Sequence, residues 1–288
     1  MPQSAGARLR SALDAGPVML PGVFNPLVAR MAERAGFKAV YLSGAALSAT
    51  LALPDVGLVT LTEFVEAARA ITRATSLPLI SDADTGFGEA LNVERTVQLF
   101  EEAGAAGIHL EDQVMPKRCG HLSGKALVEP AMMEAKIRAA VAARKDKSFF
   151  IIARTDARGV NGFADAVERA NRYRAAGADA IFSEALETAD EFGQFAKESP
   201  GLLLANMTEF GKSPLLDAAT LAKLGYRLIL FPVSSLRTAL KAVEELFAEV
   251  ARAGSQQAAV SKMLTRASLY DLLSYTGYEE RDKSYFGK

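Results

Sequence analysis

Four stretches of this chain repeat one junction, in which a helical pattern stops at a glycine and an apolar run begins at once. They are Arg34-Ala-Gly-Phe-Lys-Ala-Val40, Glu102-Ala-Gly-Ala-Ala-Gly-Ile108, Ala175-Ala-Gly-Ala-Asp-Ala-Ile181 and Lys223-Leu-Gly-Tyr-Arg-Leu-Ile229. Glycine closes a helix because it tolerates a left-handed backbone. The apolar runs are short and rich in branched residues, as strands buried on both faces are. Eight such strands are expected near 18–21, 39–42, 79–82, 107–111, 149–153, 180–183, 202–205 and 228–231. Helical patterns follow most of them, as at 92–103, 130–144 and 163–176. Eight alternating units predict an α/β fold of the (β/α)8 TIM-barrel type, a single domain over 1–288. A doubly wound open sheet is the alternative, weakened because no glycine-rich nucleotide fingerprint follows the first strand. Residues 236–288 exceed what the barrel needs. They carry two further helical patterns within 236–275, expected to be exchanged between subunits.

Composition narrows the function. Half of the 288 residues are hydrophobic, enough for one large core, and a net charge of −1 gives no reason to expect nucleic acid or an acidic membrane surface. One cysteine excludes an intrachain disulfide and a cysteine-rich zinc site, and suits a reducing cytoplasm. No apolar run approaches the roughly 18 residues of a spanning helix.

The predicted strand ends share a chemistry. They run into Tyr41-Leu-Ser-Gly44, Ser81-Asp-Ala-Asp-Thr-Gly86, Glu111-Asp-Gln113, Arg154-Thr-Asp156, Glu184, Asn206-Met-Thr208, and Pro232 with Ser234. In a barrel these meet at the carboxyl mouth, where barrel active sites lie. Asp82, Asp84, Glu111, Asp112 and Glu184 would repel one another there unless cations intervene, and a hard divalent ion such as Mg2+ answers that need. Asp84 is the expected closest ligand, with Asp82 beside it or bridging through water. The same Asp-rich doublet also suits helix caps and turns. Arg154 and Arg237 can clamp carboxylates in bidentate fashion. Ser43 with the amides of Gly44 and Ala45 offers an anion cradle, and Asn206 and Thr208 offer neutral hydrogen bonds. This set points to a small polyanionic acid.

Between the fourth and fifth strands stands Lys117-Arg-Cys-Gly-His-Leu-Ser-Gly-Lys125. It sets the one thiol, Cys119, among Lys117, Arg118 and His121, and cationic surroundings lower a thiol pKa. Gly120 and Gly124 suit a loop that moves or approaches a ligand closely. A surface loop with an incidental thiol has the same spacing. His109, in an apolar strand pattern, reads as a packing residue or a ligand.

Lys117-Arg-Cys-Gly-His121, downstream of Asp82-Ala-Asp84 and His109-Leu-Glu-Asp-Gln113, resembles the signature of the isocitrate lyase and phosphoenolpyruvate mutase superfamily. Leu20-Pro-Gly22, Tyr41-Leu-Ser-Gly44, Ala153-Arg-Thr-Asp-Ala157, Asn206-Met-Thr-Glu-Phe210 and Ser234-Ser-Leu-Arg237 extend the likeness over almost the whole chain, most closely to the 2-methylisocitrate lyase branch. The resemblance implies Mg2+-dependent (or Mn2+-dependent) cleavage of 2-methylisocitrate to pyruvate and succinate, a methylcitrate-cycle step of propionate catabolism, in a cytoplasmic homotetramer. It implies Cys119 as proton donor, tuned by His121 and Glu184, with Lys117 beside it and Tyr41 assisting hydroxyl deprotonation. Gly120, Arg154, Asn206, Thr208, Arg237 and Arg266 would hold substrate, with Asp55, Glu111 and Asp112 around the metal carboxylates. Phe182, Leu230 and Pro232 would leave room for the extra methyl, where isocitrate lyases resembling this chain carry a Trp near Phe182. The family often has glycine where this chain has Ala45, whose amide can still donate. The rivals are isocitrate lyase, oxaloacetate decarboxylase, dimethylmalate lyase, and a non-catalytic dicarboxylate-binding barrel. A Schiff-base aldolase is disfavoured because no lysine ends a strand.

Overall fold

The computed structural model describes residues 3–120, 122 and 124–287. It divides into two compact units, Met1–Leu236 and Arg237–Lys288. The first unit alternates strand and helix: α1 (Ala5–Ala15), β1 (Val18–Pro21), α2 (Pro26–Arg34), β2 (Val40–Leu42), α3 (Gly44–Thr50), α4 (Leu61–Ala74), β3 (Leu79–Asp82), α5 (Ala90–Glu102), β4 (Gly107–Glu111), α6 (Pro130–Ala143), β5 (Phe150–Thr155), α7 (Phe163–Ala175), β6 (Ala180–Ser183), α8 (Ala189–Glu198), β7 (Leu203–Asn206), α9 (Ala218–Lys223) and β8 (Leu228–Phe231). The strands are parallel in the order β1-β8-β7-β6-β5-β4-β3-β2. Between β1 and β2 the ring closes through a parallel bridge of Gly22 to Tyr41. All eight strands lie where the apolar runs predict them, and the architecture is a nearly closed TIM-type barrel.

Local chemistry accounts for the segmentation. Ser4, Asn25, Ser43, Thr188 and Asp217 cap helix starts through side-chain oxygens, and Thr60 with Glu63 forms a full capping box on α4. Gly36, Gly104, Gly177 and Gly225, the glycines of the repeated junction, all have positive φ, between 85° and 110°. Each therefore ends its helix in the left-handed region and turns the chain back into the next strand.

Strand alternation sorts side chains into two cores. Val40, Leu42, Leu79, Ile108, Leu110, Ile151, Ala153, Ile181, Leu203, Ala205 and Ile229 pack outward against the helices. Leu20, Tyr41, Ile80, Phe150, Ile152, Phe182, Leu204, Leu228 and Leu230 face inward, and Leu9 and Leu13 of α1 join them as a floor.

The second unit holds most of α10 (Ser234–Ala253), a 3-10 turn (Gln257–Lys262), α11 (Arg266–Leu272) and α12 (Tyr275–Tyr285). It has one helix more than the two patterns read from sequence. The sequence of α12, Tyr-Thr-Gly-Tyr-Glu-Glu-Arg-Asp-Lys-Ser-Tyr, has no apolar stripe to announce it. Among the described residues, no helix is long and apolar enough to cross a membrane.

Candidate active site

Continuing the inward register toward the carboxyl ends gives Tyr41, Asp82, His109, Glu111, Arg154, Glu184 and Asn206, all buried. Residues of opposite parity face the helices. The site is thus a polar extension of the apolar interior.

Arg154 is its centre. Its guanidinium meets Asp156 through Nε (2.9 Å) and Nη2 (3.1 Å), Glu184 Oε2 at 3.3 Å and Glu111 Oε2 at 3.3 Å. It lies 5.0 Å from the centroid of the Phe182 ring, which therefore forms its seat. Burial opposes its charge, but Asp156, Glu111 and Glu184 outweigh that and hold it firmly protonated. Glu184 in turn accepts from Asn206 Nδ2 at 3.2 Å and from the Ala185 amide at 2.9 Å.

The two aspartates of the third strand end behave differently. Asp82 closes the strand, its carboxylate accepting the Gly44 amide (3.0 Å) and the Asp84 amide (2.9 Å). Burial raises its pKa, but His109, Lys117 and Arg154 prevail and keep it below the ordinary value. Asp84 has left the strand with φ 45°, so its carboxylate does not follow the alternation. Its Oδ1 lies 2.9 Å from Lys117 Nζ, and Lys117 also pairs with Asp55. Burial, reinforced by Asp82, raises the Asp84 pKa to about 6 against the partial offset of Lys117. Burial disfavours the Lys117 charge, but Glu111, Asp84, Asp82 and Asp55 hold the ammonium protonated. Lys117 thus directs its charge at the carboxylates.

Glu111 is buried, and among the described residues neither of its carboxylate oxygens is hydrogen-bonded. Burial lifts its pKa well above the ordinary range despite Arg154 and Lys117. Buried acceptors without donors are costly unless a cation or water satisfies them. Together with Asp84 Oδ1, whose close partner is the Lys117 ammonium, they fit a hard divalent cation. Among the described residues, no three His, Cys, Asp or Glu side chains converge as a ready-made metal cage.

Tyr41 and His109 form a unit beneath this ring, with Tyr41 Oη 2.6 Å from His109 Nε2 and the rings stacked. Burial raises the Tyr41 pKa and lowers that of His109 to about 4, so both are neutral at pH 7. A neutral imidazole can accept the phenol's proton in this hydrogen bond.

The cysteine loop lies against the mouth. The Gln113 side chain exchanges two 2.9 Å hydrogen bonds with the Arg118 backbone. Lys125 Nζ lies 2.8 Å from Asp156 and donates to the Gly120 carbonyl. Cys119 is partly buried; His121 lies outside the described residues.

Several expected roles meet a different geometry. Asp112 has outward parity and turns from the mouth, accepting from Thr155 Oγ1 (2.7 Å), Tyr173 Oη (2.8 Å) and the Asp156 amide (2.9 Å). The Ser43–Ala45 cradle is partly used, since the Gly44 amide serves Asp82 and Ser43 Oγ caps Ala46. Ala45 is not among the positive-φ residues, so alanine fits its backbone. Thr208, Leu230 and Pro232 are buried around the mouth-side ends of β7 and β8, while Arg237 and Arg266 belong to the second unit. Asp156, Lys125 and Gln113 were not assigned site roles from sequence. The spacing Arg154-Thr-Asp156 was the available signal, because residues two apart can share a strand side.

The chain is similar over most of its length to known proteins. A family profile described as phosphoenolpyruvate phosphomutase matches residues 9–251. A 2-methylisocitrate lyase of Aeropyrum pernix is 55% identical over 265 residues, spanning 92% of this chain and 85% of that protein. The crystal structure of a 2,3-dimethylmalate lyase, described as a PEP mutase/isocitrate lyase superfamily member, superposes with TM-score 0.92 at 35% identity, covering 99% of this chain and 96% of that one. Phosphonopyruvate hydrolase in complex with oxalate and Mg2+ gives TM-score 0.89 at 35% identity, over 99% and 100% of the two chains.

Proposed function

The chain belongs to the phosphoenolpyruvate mutase/isocitrate lyase superfamily, and from that premise we propose that it cleaves 2-methylisocitrate to pyruvate and succinate. The observation that carries the reading is a cysteine-bearing loop tethered over a buried ring of carboxylates centred on one arginine.

A substrate carboxylate engages Arg154, whose guanidinium is oriented in advance by Asp156, Glu111 and Glu184. Asn206 and Thr208 hold the succinate half. Asp84, supported by Asp82, Glu111 and Asp55, would hold Mg2+ or Mn2+. When bound, that ion supplies the positive charge that favours alkoxide over hydroxyl. Tyr41, backed by His109, relays the hydroxyl proton. The alkoxide electron pair forms the ketone of pyruvate while the neighbouring carbon–carbon bond breaks. The bond's electrons pass to the succinate half as a carboxylate-stabilised carbanion. The Cys119 thiol gives that carbon its proton and becomes thiolate; in condensation the thiolate is the base. His121 and Glu184 tune the thiol.

Phe182, Leu230 and Pro232 form the wall for the extra methyl, a difference worth about 1–3 kcal/mol in an apolar pocket. An exposed apolar series on α10, Leu240, Val243, Phe247 and Val250, supports a homotetramer with exchanged C-terminal helices. A cytoplasmic setting follows from the same reading.

The test is pyruvate release by the purified protein with Mg2+ across 2-methylisocitrate, isocitrate, 2,3-dimethylmalate and oxaloacetate. Cleavage of 2-methylisocitrate at least about tenfold faster than isocitrate, in kcat/KM, is expected. Turnover of oxaloacetate alone would replace the reading.

A further inference from the structure

The buried stripe of α6 reads Met133, Lys136, Ile137 and Ala140, the spacing of a core-facing helix with a lysine set among its apolar positions. Lys136 is only 5% exposed. Among the described residues its ammonium makes one hydrogen bond, to the Thr85 carbonyl at 3.1 Å, and no ion pair. A buried ammonium without a carboxylate costs stability that an apolar side chain of similar length would not. It stands behind a strained turn. Asp84 (φ 45°) and Phe87 (φ 59°) carry a Cβ yet lie in the left-handed region, beside Gly86 and Gly88, also at positive φ. Such backbone persists only where its surroundings hold it. Main-chain bonds supply part of the hold: the Ala83 amide donates to His109 (3.1 Å), the Gly86 amide to Ala83 (2.8 Å) and the Glu111 amide to the Asp84 carbonyl (2.9 Å). Side chains hold the carbonyls of Thr85 and Gly86. Lys136 reaches the first from α6, and Thr96 Oγ1, fully buried on α5, reaches the second at 3.1 Å.

We propose that Lys136 and Thr96 are positioning residues that fix the 83–88 turn and so aim the Asp84 carboxylate at a divalent ion. The proposal rests on the reading that Asp84 holds that ion. On an extended backbone Asp84 would share a side with Asp82, two residues away, and the two carboxylates would crowd one another. The left-handed turn separates them, sending Asp82 to backbone amides and Asp84 to Lys117. A turn that relaxed toward extended backbone would lose that separation. A charged donor suits the task, because its hydrogen bond to a carbonyl is stronger than a neutral one. Lys136 and Thr96 act through main-chain carbonyls, not on the carboxylate itself.

The test separates aiming from packing. A packing role alone predicts that Lys136→Met is as stable as the wild type or more so, with Mg2+ binding untouched. The positioning role predicts that Mg2+ binding, by calorimetry, weakens about tenfold, the low end of the range for losing a group that orients a metal ligand. In the metal-free protein, hydrogen exchange at the Gly86 and Glu111 amides should quicken about tenfold as the turn opens locally, while the amides of β6 and β7 keep wild-type rates. Lys136→Arg, which can still donate to Thr85, should restore most of the affinity. Should Met prevent folding, Thr96→Val strips the Gly86 tether and should give the same two changes. Unchanged Mg2+ affinity would overturn the aiming role and leave the lyase reading intact. Weakened affinity with wild-type exchange at Gly86 and Glu111 would overturn it as well, since the loss would not come through the turn. Wild-type Mg2+ affinity in Asp84→Asn would remove the metal reading of Asp84 and this proposal together.

Discussion

The two ends of the barrel interior obey one alternation rule and have opposite chemistry. At the floor, Leu9, Leu13, Ile80, Phe150 and Ile152 are packed and apolar. At the mouth, the same strand faces continue as Asp82, His109, Glu111, Arg154 and Glu184, equally buried but charged or polar. The floor is stabilised by removing apolar surface from water. The mouth holds charge in a low-dielectric setting, and Glu111, though paired with Arg154, has two oxygens without a hydrogen bond among the described residues. One end is built for stability, and the other gives up stability to keep groups ready for a ligand.

Substitutions at each end sharpen that contrast. Cys119→Ser should lower kcat about 10³-fold, the range for losing a general acid, while calorimetry shows product binding unchanged. Near-normal turnover would remove Cys119 from the mechanism. Phe150→Ala, on the floor, should cost about 3–5 kcal/mol in urea unfolding and leave kcat of the folded fraction within about twofold. A loss of kcat with no loss of stability would break the division between the ends.

The adjacent carboxylates Glu111 and Asp112 test the alternation at single-residue scale. Asp112→Asn weakens a buried network with Thr155, Tyr173 and Arg169 and should cost about 1–3 kcal/mol of stability. Mg2+ affinity by calorimetry should stay unchanged there and fall in Glu111→Gln. The reverse pattern would mean that parity does not assign their roles.

The pH response is the next, smaller effect. Asp84 has a folded pKa of about 6 against an ordinary 3.8, so as pH rises from 4 to 6 the unfolded chain loses that proton first. Its contribution to metal-free stability therefore falls over that window and is flat above it. His109, at about 4 against an ordinary 6.5, works oppositely: its contribution falls as pH drops from 6.5 to 4. Subtracting Asp84→Asn from wild-type urea midpoints isolates the first, and a difference that grows more favourable to the wild type from pH 4 to 6 would refute it. The smallest change expected is Ala45→Gly, which removes about 0.5–1 kcal/mol through backbone entropy, with KM within about twofold.

Local and periodic features were legible in advance. The four helix-closing glycines, the strand positions and the polar strand ends depend on backbone preference and a period of two, which neighbours along the chain carry by themselves. Asp82, Asp84 and Arg154 stand at predicted strand ends and Cys119 is the one thiol among basic neighbours; the family signature likewise rests on residues close in sequence. The α12 helix was missed because its charged sequence shows no apolar stripe.

Tertiary structure decided what each charge faces. Tyr41 meets His109 across 68 positions, Lys117 meets Asp55 across 62, and Lys125 meets Asp156 across 31. Such pairings depend on neighbouring strands and loops arriving at one place, and no sequence period encodes that. The sequence ranks Asp84 ahead of Asp82 as a ligand, but only the turn at φ 45° shows one carboxylate going to backbone amides and the other to a lysine. The sequence determined which residues could reach the mouth; the closed ring of strands determined which of them share a proton, a cation or a ligand there.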